Sequence, residues 1–366
     1  MAQTYTYGDP LGARVCWAED GSRLISFFIF NTDVHLHVYG HAMDDAASTS
    51  GIPSLDLGGE RGRERADGAL LACRDRCVFF ERTLSRTRST SDISRAHACA
   101  PNPVDVSRET VELVELARGY CERSRGCFDI TMGTVTRLWD FHNAVVPHRL
   151  QLSRALGHVG VSRVRTSCTG DSHTLAIDDP ETVLDLGGVA KGYIADDLAA
   201  LLRAHGCARF VINLGGNVLV SGGRPADPAS RPAVRAGDPW RIGVLNPRDQ
   251  RHYRAIVQVE DASVVTSGIA ERAFTRGGRT YHHILDPRTG MPAQTDCASA
   301  TIVAPRSMDC DGYSTTVLML GMEEGLEFAE ETPGVEAVLI GRDDEVSWTA
   351  GVGEALSLVP TLPSLL

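Results

Sequence analysis

A carboxylate and a hydroxyl lie four positions apart in the segment 309–321, as Asp311 and Thr315. If a helix begins in this segment, the two side chains lie one turn apart on the same side of it. Oxygen donors in that arrangement suit a hard cation such as Mg²⁺. In the alternative interpretation Asp311 caps the helix and Thr315 bonds within its own turn. Taken alone, the segment favours this structural alternative.

Two adjacent histidines, His282 and His283, precede a turn in the segment 280–292. Side chains alternate along a strand, so only one of the two can enter a given pocket. The run from Asp286 to Gly290 contains proline and glycine and indicates a tight turn. A histidine beside an aspartate suits general-base catalysis near pH 7. A hairpin turn with a satisfied histidine beside it is the alternative.

A glycine pair, Gly187 and Gly188, precedes a helical pattern over 191–205, with Lys191 in its first turn. Backbone N–H groups at such a helix start favour phosphate. Neither GxGxxG nor GxxxxGK[ST] is present, so the segment is neither a Rossmann nor a P-loop motif. An ordinary strand–turn–helix is the alternative. Lys191 is the one lysine among the 36 basic residues, and all the others are arginines. Codon bias explains the excess of arginine, but it does not explain why this position has a lysine.

Predicted helices and strands must position these groups. Alternating apolar residues over 24–39 predict a strand pair. Helices interspersed with strands near enough to pair predict an α+β fold, with antiparallel sheets and helices packed on their faces. The further predicted helices are 70–83, 107–123 and 311–320, and the further predicted strands are 210–214, 240–245, 254–259, 280–285, 299–303 and 336–340.

The composition bounds the domain organisation. We expect one domain over 23–358, a flexible arm at 1–22 and a tail at 359–366. Segments 41–68 and 221–239 are rich in small and polar residues, which predicts flexible insertions or loops. No repeat of fixed period is visible.

The charge and the cysteines limit the classes of function. The formal net charge of −11 argues against nucleic acid or an anionic membrane as a partner. The longest apolar run near the start, 24–30, is far shorter than the ~20 residues that span a bilayer. The ten scattered cysteines form no CxxC pair, which argues against a zinc ribbon. Free thiols and the absence of a signal-like start predict a cytoplasmic protein.

Eight blocks follow one another in an order that is more specific than any single motif. They are FERTLSRTRSTSDISR (80–95), CFDITMGTVTRLWDF (127–141), LDLGGVAKGYIADDLAALLRAHG (184–206), FVINLGGNVLVSG (210–222), PWRIGVLNP (239–247), VVTSGIAERAF (264–274), YHHILDPRTGMP (281–292) and DGYSTTVLMLG (311–321). In these blocks the chain resembles the ApbE family of flavin transferases, over roughly residues 24–345.

The resemblance implies one catalytic module related to tunnelling-type (T-fold) folds, with FAD in a cleft between two subdomains. Members of this family use Mg²⁺ to split FAD and transfer its FMN half to a threonine of an acceptor flavoprotein, while AMP leaves. The target threonine lies in a short Asp-containing, Ser/Thr-rich motif. Two alternatives stay open: an FAD pyrophosphatase that gives FMN and AMP, and a flavin-binding protein without catalysis. The chain is expected to be a monomer or homodimer.

The resemblance also implies roles for individual residues. Asp311 and Thr315 are expected to hold the metal together with a backbone carbonyl of the glycine turn, that of Gly188. His283 matches the catalytic histidine, and we infer that Asp286 orients its imidazole or the incoming peptide. The expected FAD contacts are Phe30, Phe128, Asp129, Asp185, Lys191 and Ile284.

Two positions depart from the family pattern. Phe30-Asn31-Thr32 replaces small residues near the N-terminal strand pair, which alters one expected wall of the pocket. Met308 replaces an additional acidic metal ligand three positions before Asp311.

Overall fold

The computed structural model describes residues 12–40, 55–227 and 233–359. Within these ranges the chain forms eight α-helices and seventeen strands. The helices are α1 (Glu60–Leu84), α2 (Asp92–Cys99), α3 (Arg108–Arg123), α4 (Gly133–Thr136), α5 (Arg149–Leu156), α6 (Ala190–Ala204), α7 (Ser307–Leu320) and α8 (Met322–Glu331). The strands are β1 (Cys16–Trp17), β2 (Arg23–Ile29), β3 (Thr32–Val38), β4 (Val104–Asp105), β5 (Val164–Thr169), β6 (Ser172–Ile177), β7 (Phe210–Leu214), β8 (Asn217–Ser221), β9 (Trp240–Asn246), β10 (Asp249–Val259), β11 (Ser263–Gly268), β12 (Ala273–Arg276), β13 (Arg279–His282), β14 (Cys297–Ala304), β15 (Glu336–Gly341), β16 (Val346–Trp348) and β17 (Leu356–Leu358).

One large antiparallel sheet organises the molecule, in the order β1-β2-β3-β7-β8-β11-β14-β15-β16. Every residue of β14 is buried, because other elements cover both faces of this central strand. Helix α7 packs on β14 and β11 and also contacts α6. Smaller sheets join β17-β10-β9, β4-β6-β5 and β12-β13. The predicted α+β class, with antiparallel sheets and packed helices, is confirmed.

Two tight hairpin turns lie side by side at one end of this sheet. Phe30 and Asn31 connect β2 to β3 with φ of 55° and 59°. Gly215 and Gly216 connect β7 to β8 with φ of 63° and 94°. Positive φ at both central positions is the geometry that matches the twist of two-residue hairpins. A Cβ at Gly215 would overlap the Thr32 hydroxyl, at 1.9 Å, so only glycine allows the two turns to approach this closely.

Helices α6 and α7 make an unusually close contact. A Cβ added at Gly192 of α6 would lie 2.5 Å from the Ser307 carbonyl oxygen and 2.7 Å from Met308 Cα. One turn further along α6, the Asp196 carboxylate accepts the backbone N–H groups of Ser307, at 2.8 Å, and Met308, at 3.0 Å. These are orphan donors of the first turn of α7, and a carboxylate there also complements the helix dipole. Asp196 therefore fixes where α7 begins.

Most predicted elements are present, with different boundaries. Helix α1 begins at Glu60, so residues 60–68, which fall within the predicted insertion or loop 41–68, are helical. Charged residues dominate this first part of α1 and hide its apolar periodicity. Strand β1 lies within the predicted arm 1–22 and pairs with β2. Residues 1–11, 41–54, 228–232 and 360–366, and the predictions made for them, lie outside the described residues.

The strand predicted over 280–285 ends earlier, at His282. Beyond it the chain turns, because the Ile284 carbonyl accepts the N–H of Ala293 at 2.9 Å and Leu285 forms a bridge to Pro292. The predicted side-chain alternation therefore does not extend to His283. In the part of the chain that the structure describes, no helix has both the length and the apolar content needed to cross a membrane.

Candidate active site

Asp311 is a buried carboxylate inside α7, with only 5% of its surface exposed. Its Oδ2 accepts the backbone N–H of Gly192 at 2.6 Å, and its Oδ1 accepts Nδ2 of Asn217 at 3.2 Å. Burial raises the pKa of Asp311, while the charge of Lys191 and these two hydrogen bonds act in the opposite direction. Because α7 begins four residues earlier, Asp311 is not the helix cap. The carboxylate is instead held in one orientation by α6 and β8.

Asn217 joins three elements around this carboxylate. Its Oδ1 accepts the Ser307 hydroxyl at 2.8 Å, and Ser307 in turn accepts the Ser263 hydroxyl at 2.9 Å. These bonds fix the amide so that its NH₂ group points at Asp311. Asn217 directly follows the glycine pair of the β7–β8 turn, and no local sequence pattern distinguishes it as a functional residue. Its contribution depends on strands far apart in sequence.

Thr315 lies one helical turn after Asp311 and is half-buried. Its Oγ1 is 3.4 Å from Oγ of Ser267, which also bonds Oγ of Ser314 at 2.8 Å. Strand β11 thus adds a third oxygen donor to the predicted pair. No group of three His, Cys, Asp or Glu that could hold a metal is found among the described residues. A metal held by one carboxylate together with hydroxyl and carbonyl oxygens must be a hard cation, and the donors fit Mg²⁺.

The glycine turn before α6 is shaped by an aspartate and an aromatic ring. Oδ1 of Asp185 accepts the N–H of Gly187 at 3.0 Å, and its Oδ2 pairs with Arg86 at 3.0 Å. A Cβ at Gly188 would lie 2.9 Å from the ring of Phe128, so the missing side chain lets that ring cover the turn. Gly188 itself is exposed. Arg86 is a cation near this turn that the sequence analysis did not identify.

Two of the predicted FAD contacts have clear structural tasks. Asp129 accepts the N–H of Thr131 at 2.7 Å through Oδ1 and that of Val161 at 3.1 Å through Oδ2. Through these two hydrogen bonds the Asp129 carboxylate fixes the backbone at Thr131 and at Val161. Phe30 occupies the β2–β3 turn and packs against the main core. Neither observation tests the predicted flavin contacts, which stay predictions.

His283 follows β13 directly and is largely enclosed, with 16% of its side chain exposed. Its backbone N–H donates to the Arg272 carbonyl at 3.0 Å. Nδ1 is buried without a hydrogen-bond partner, and Nε2 lies 4.0 Å from Oε2 of Glu271. Burial, assisted by the charge of Arg272, lowers the pKa of His283 to about 4. The imidazole is therefore neutral at pH 7 and able to accept a proton.

Glu271 connects the histidine to the lone lysine. Partial burial raises the pKa of Glu271, and the charges of Lys191 and Arg272 oppose that shift. Lys191 also acts on Asp311. One cation thus interacts electrostatically with the carboxylate beside His283 and with the carboxylate in α7. Glu271 lies in the block 264–274 that resembles the family, but no local pattern there distinguishes it as a functional residue.

Asp286 has no hydrogen bond to His283 among the described contacts and pairs with Arg288, so the expected orientation of the imidazole has no support here; a role in orienting the incoming peptide stays a prediction. Its carboxylate accepts the backbone N–H and Nε of Arg288, both at 2.9 Å, and Nη2 at 3.0 Å. Aspartate commonly closes a turn in this way by bonding the backbone two residues on. The carboxylate nearest to the imidazole is instead that of Glu271. Ile284, between these residues, is buried, with 8% of its surface exposed.

A family model described as the ApbE family matches residues 30–339 of the chain. The chain belongs to the ApbE family. The matched range contains Asp311, Thr315, His283 and Lys191, so the candidate site lies in the part that is shared with the family.

Individual ApbE relatives agree with this assignment. The chain is 38% identical over 279 residues to the FAD:protein FMN transferase of Treponema pallidum, covering 74% of this chain and 76% of the relative. It is 29% identical over 271 residues to an FAD:protein FMN transferase of Klebsiella pneumoniae, covering 72% of this chain and 74% of the relative.

Solved ApbE structures share the fold. The ApbE protein from Thermotoga maritima matches with a TM-score of 0.73 at 24% identity, covering 91% of this chain and 99% of that one. The flavin transferase ApbE from Vibrio cholerae matches with a TM-score of 0.71 at 24% identity, covering 94% and 99%.

Proposed function

We propose that this ApbE-family chain is a Mg²⁺-dependent FAD:protein FMN transferase, which moves FMN from FAD to a threonine hydroxyl of an acceptor flavoprotein and releases AMP. Its relatives in Treponema pallidum and Klebsiella pneumoniae carry the name FAD:protein FMN transferase. The observation that carries the proposal is the buried Asp311, oriented by Gly192 and Asn217, with Thr315 one turn away and Lys191 near enough to affect its pKa.

His283 is the group that would remove the proton from the acceptor threonine. Its lowered pKa keeps it neutral at pH 7, and its Nε2 is the nitrogen that is not buried. As the threonine oxygen forms its bond to the FMN phosphorus, the proton passes to the imidazole, and the bond from that phosphorus to the oxygen of AMP breaks. Glu271, 4.0 Å from Nε2, would stabilise the imidazolium that results.

The pyrophosphate of FAD carries negative charge that the site must offset. Lys191, in the first turn of α6, and the amides of the glycine turn would bind those oxygens. When bound, Mg²⁺ supplies neutralisation of the phosphoryl oxygens. Asp311, Thr315 and the Gly188 carbonyl would hold that metal. Asp185 and Arg86 keep the turn in place.

We also propose that the reaction takes place in the cytoplasm. All ten cysteines are free thiols, and seven of them are buried. This pattern is typical of a reducing compartment. The acceptor would therefore be a cytoplasmic protein or a cytoplasmic domain.

The test is a direct assay of transfer. The purified protein is incubated with FAD, Mg²⁺ and an acceptor domain that carries the threonine, and intact mass and AMP release are measured. A mass gain equal to FMN on the acceptor, absent when its threonine is replaced by valine, supports the proposal. AMP release without an adduct would instead identify a pyrophosphatase, and neither product despite FAD binding would exclude both enzymes. His283→Ala should abolish transfer and retain FAD binding.

A further inference from the structure

The hairpin formed by β12 and β13 leads directly into His283. Its two strands pair only with each other, from Ala273↔His282 to Arg276↔Arg279. Within the described ranges, both outer edges of this two-stranded sheet are therefore without a neighbouring strand. Residues 275–280 are exposed. Open edges of this kind can accept an extended peptide as an added strand, through main-chain hydrogen bonds.

The same hairpin is strongly basic in an acidic protein. Residues 272–283 contain three arginines, Arg272, Arg276 and Arg279, and no acidic residue, whereas the whole chain has a net charge of −11. We call residues 272–282 the arginine hairpin. Arg276 and Arg279 are direct cross-strand partners. Like charges opposite one another on a sheet are destabilising, and a bound anion between them would remove that repulsion.

None of these three guanidinium groups forms an ion pair with a carboxylate in the part of the chain that the structure describes. Other arginines behave differently: Arg23 pairs with Asp67 at 2.7 Å, and Arg254 pairs with Asp344 at 3.2 Å. The Arg276 guanidinium has a long contact to the Ala144 carbonyl, at 3.4 Å, and Arg279 lies over the Tyr281 ring, 5.3 Å from its centroid. Arg272 acts electrostatically on Glu271 and His283, whereas the charges of Arg276 and Arg279 are available to a partner.

The base of the arginine hairpin is held by an aromatic cluster. Phe274 and Tyr281 stack at 5.3 Å on its inner face, and Phe141 lies 5.9 Å from Phe274. Trp139 stacks on Phe141 at 5.5 Å, and its indole N–H donates to the Gly290 carbonyl at 3.1 Å. These contacts tie the hairpin to the turn that follows His283. A segment bound to the hairpin would therefore lie at a defined position relative to the imidazole.

We propose that the arginine hairpin is the docking element for the acceptor protein, and that it binds an extended, acidic segment that carries the target threonine. This inference rests on the proposed function and adds the surface to which the acceptor segment binds and the extended conformation in which it binds. The open edge favours an extended backbone, and the unpaired arginines favour carboxylates, which guanidinium groups bind with paired hydrogen bonds. Because the whole chain has a net charge of −11, the cluster of arginines in the hairpin, which contains no acidic residue, gives such a segment a local attraction that the net charge does not.

Binding can be tested without turnover. Two labelled peptides are used, each with one threonine, flanked by aspartates in the first and by lysines in the second. Fluorescence anisotropy with the full chain should show that the aspartate peptide binds at least about tenfold more tightly, and that its affinity falls as the salt concentration rises. Equal affinity for the two peptides would overturn the proposal, whatever the state of the variants.

The variant that tests the site is Arg276→Glu with Arg279→Glu. The matched control is Arg108→Glu with Arg241→Glu, which makes the same change of charge at exposed positions of α3 and β9. The hairpin variant should lose about tenfold or more in affinity for the aspartate peptide, and the control should not. Equal losses in the two variants would show that net charge alone attracts the peptide, and would overturn the assignment of this surface.

Two further measurements separate the outcomes. An aspartate peptide with prolines beside the threonine should bind more weakly, because proline removes the N–H groups that an added strand donates; unchanged affinity would overturn the edge-pairing geometry. FAD affinity should be unaltered in the hairpin variant. If no acceptor gains FMN from the wild-type chain, the proposed function fails, while the peptide measurements still decide whether the hairpin binds acidic segments.

Discussion

A single methyl group at Gly192 should separate α6 from α7 and disturb the carboxylate at the centre of the site. In Gly192→Ala the new Cβ would lie 2.5 Å from the Ser307 carbonyl oxygen and 2.7 Å from Met308 Cα. Both are backbone atoms, so no side chain can rotate away. Since ordinary contact begins at 3.4 Å, the helices would have to move apart by up to 0.9 Å. The same movement would stretch the bond from Gly192 N–H to Asp311, now 2.6 Å, towards 3.5 Å.

Two costs add up in this variant. Overpacking at a close contact costs about 1–3 kcal/mol. Weakening a hydrogen bond to a buried charged group adds about 1.5–3 kcal/mol. The free energy of unfolding should therefore fall by about 2.5–6 kcal/mol, out of a typical total of about 5–15 kcal/mol. The Mg²⁺ concentration needed for half-maximal transfer should rise, because Asp311 would no longer be held in one orientation.

Urea unfolding followed by circular dichroism measures the first effect, and a Mg²⁺ titration of FMN transfer measures the second. Gly68→Ala is the matched control, because Gly68 lies within α1 and no atom is within 4 Å of its added Cβ. That substitution should stabilise the chain by about 0.5–1 kcal/mol through helix propensity. If Gly192→Ala unfolds like the wild type and has an unchanged Mg²⁺ requirement, the close helix contact does not support the site.

Four other substitutions test single groups. Lys191→Arg should raise the KM for FAD with kcat largely retained, because a guanidinium fork cannot occupy the place of a compact ammonium; unchanged kinetics would leave the lone lysine without a role. Asp311→Asn should remove transfer and its Mg²⁺ dependence while the hydrogen bond from Gly192 is kept, and an unaltered Mg²⁺ response would exclude Asp311 as a ligand. Glu271→Gln should lower kcat for transfer, because the imidazolium formed in the reaction would lose the carboxylate that lies 4.0 Å from Nε2; an unchanged kcat would contradict that. Burial lowers the pKa of His283 to about 4 in the folded chain, from an ordinary value of 6.5. As the pH drops from 6.5 towards 4, the unfolded chain therefore binds a proton on this histidine that the folded chain does not bind, and the free energy of unfolding should fall. His283→Gln should remove this contribution, and equal pH dependence in both proteins would refute it.

Elements whose signals are local could be predicted well from sequence. The alternation over 24–39 is the β2–β3 hairpin, and the predicted strand 210–214 is β7. Helix α3 begins at Arg108, beside the predicted start at 107, because Ser107 caps it by accepting the N–H of Thr110 at 3.2 Å. The alternation of apolar and polar residues and the capping of helices by side chains each involve only a few neighbouring residues. Both can therefore be recognised in the sequence without knowledge of the tertiary structure.

Boundaries set by distant residues could not be predicted. Helix α7 starts before Asp311 because Asp196, in α6, accepts the N–H groups of its first residues. Glu271 reaches His283 only because β12 and β13 pair and bring the two ends of the hairpin together. Asp286 looked like the orienting carboxylate on sequence proximity, yet Arg288, two residues away, takes both of its oxygens. The residue types therefore indicated which chemistry the site could perform, whereas contacts between elements far apart in sequence determined which residues interact.

The contrast between the buried strand β14 and the open arginine hairpin implies very different rates of local opening within one active site. All residues of β14 are buried, and α7 packs on it, so amide hydrogens there should exchange with solvent only when the whole chain unfolds. The hairpin is exposed and bonded to no third strand among the described residues, and its outward-facing amides should exchange within the native state. Asp311 belongs to the slow region, while His283 lies where the fast region ends. The end of the site that we propose for the metal would therefore stay rigid through successive turnovers, while the end that we propose for the base would adjust to each arriving acceptor.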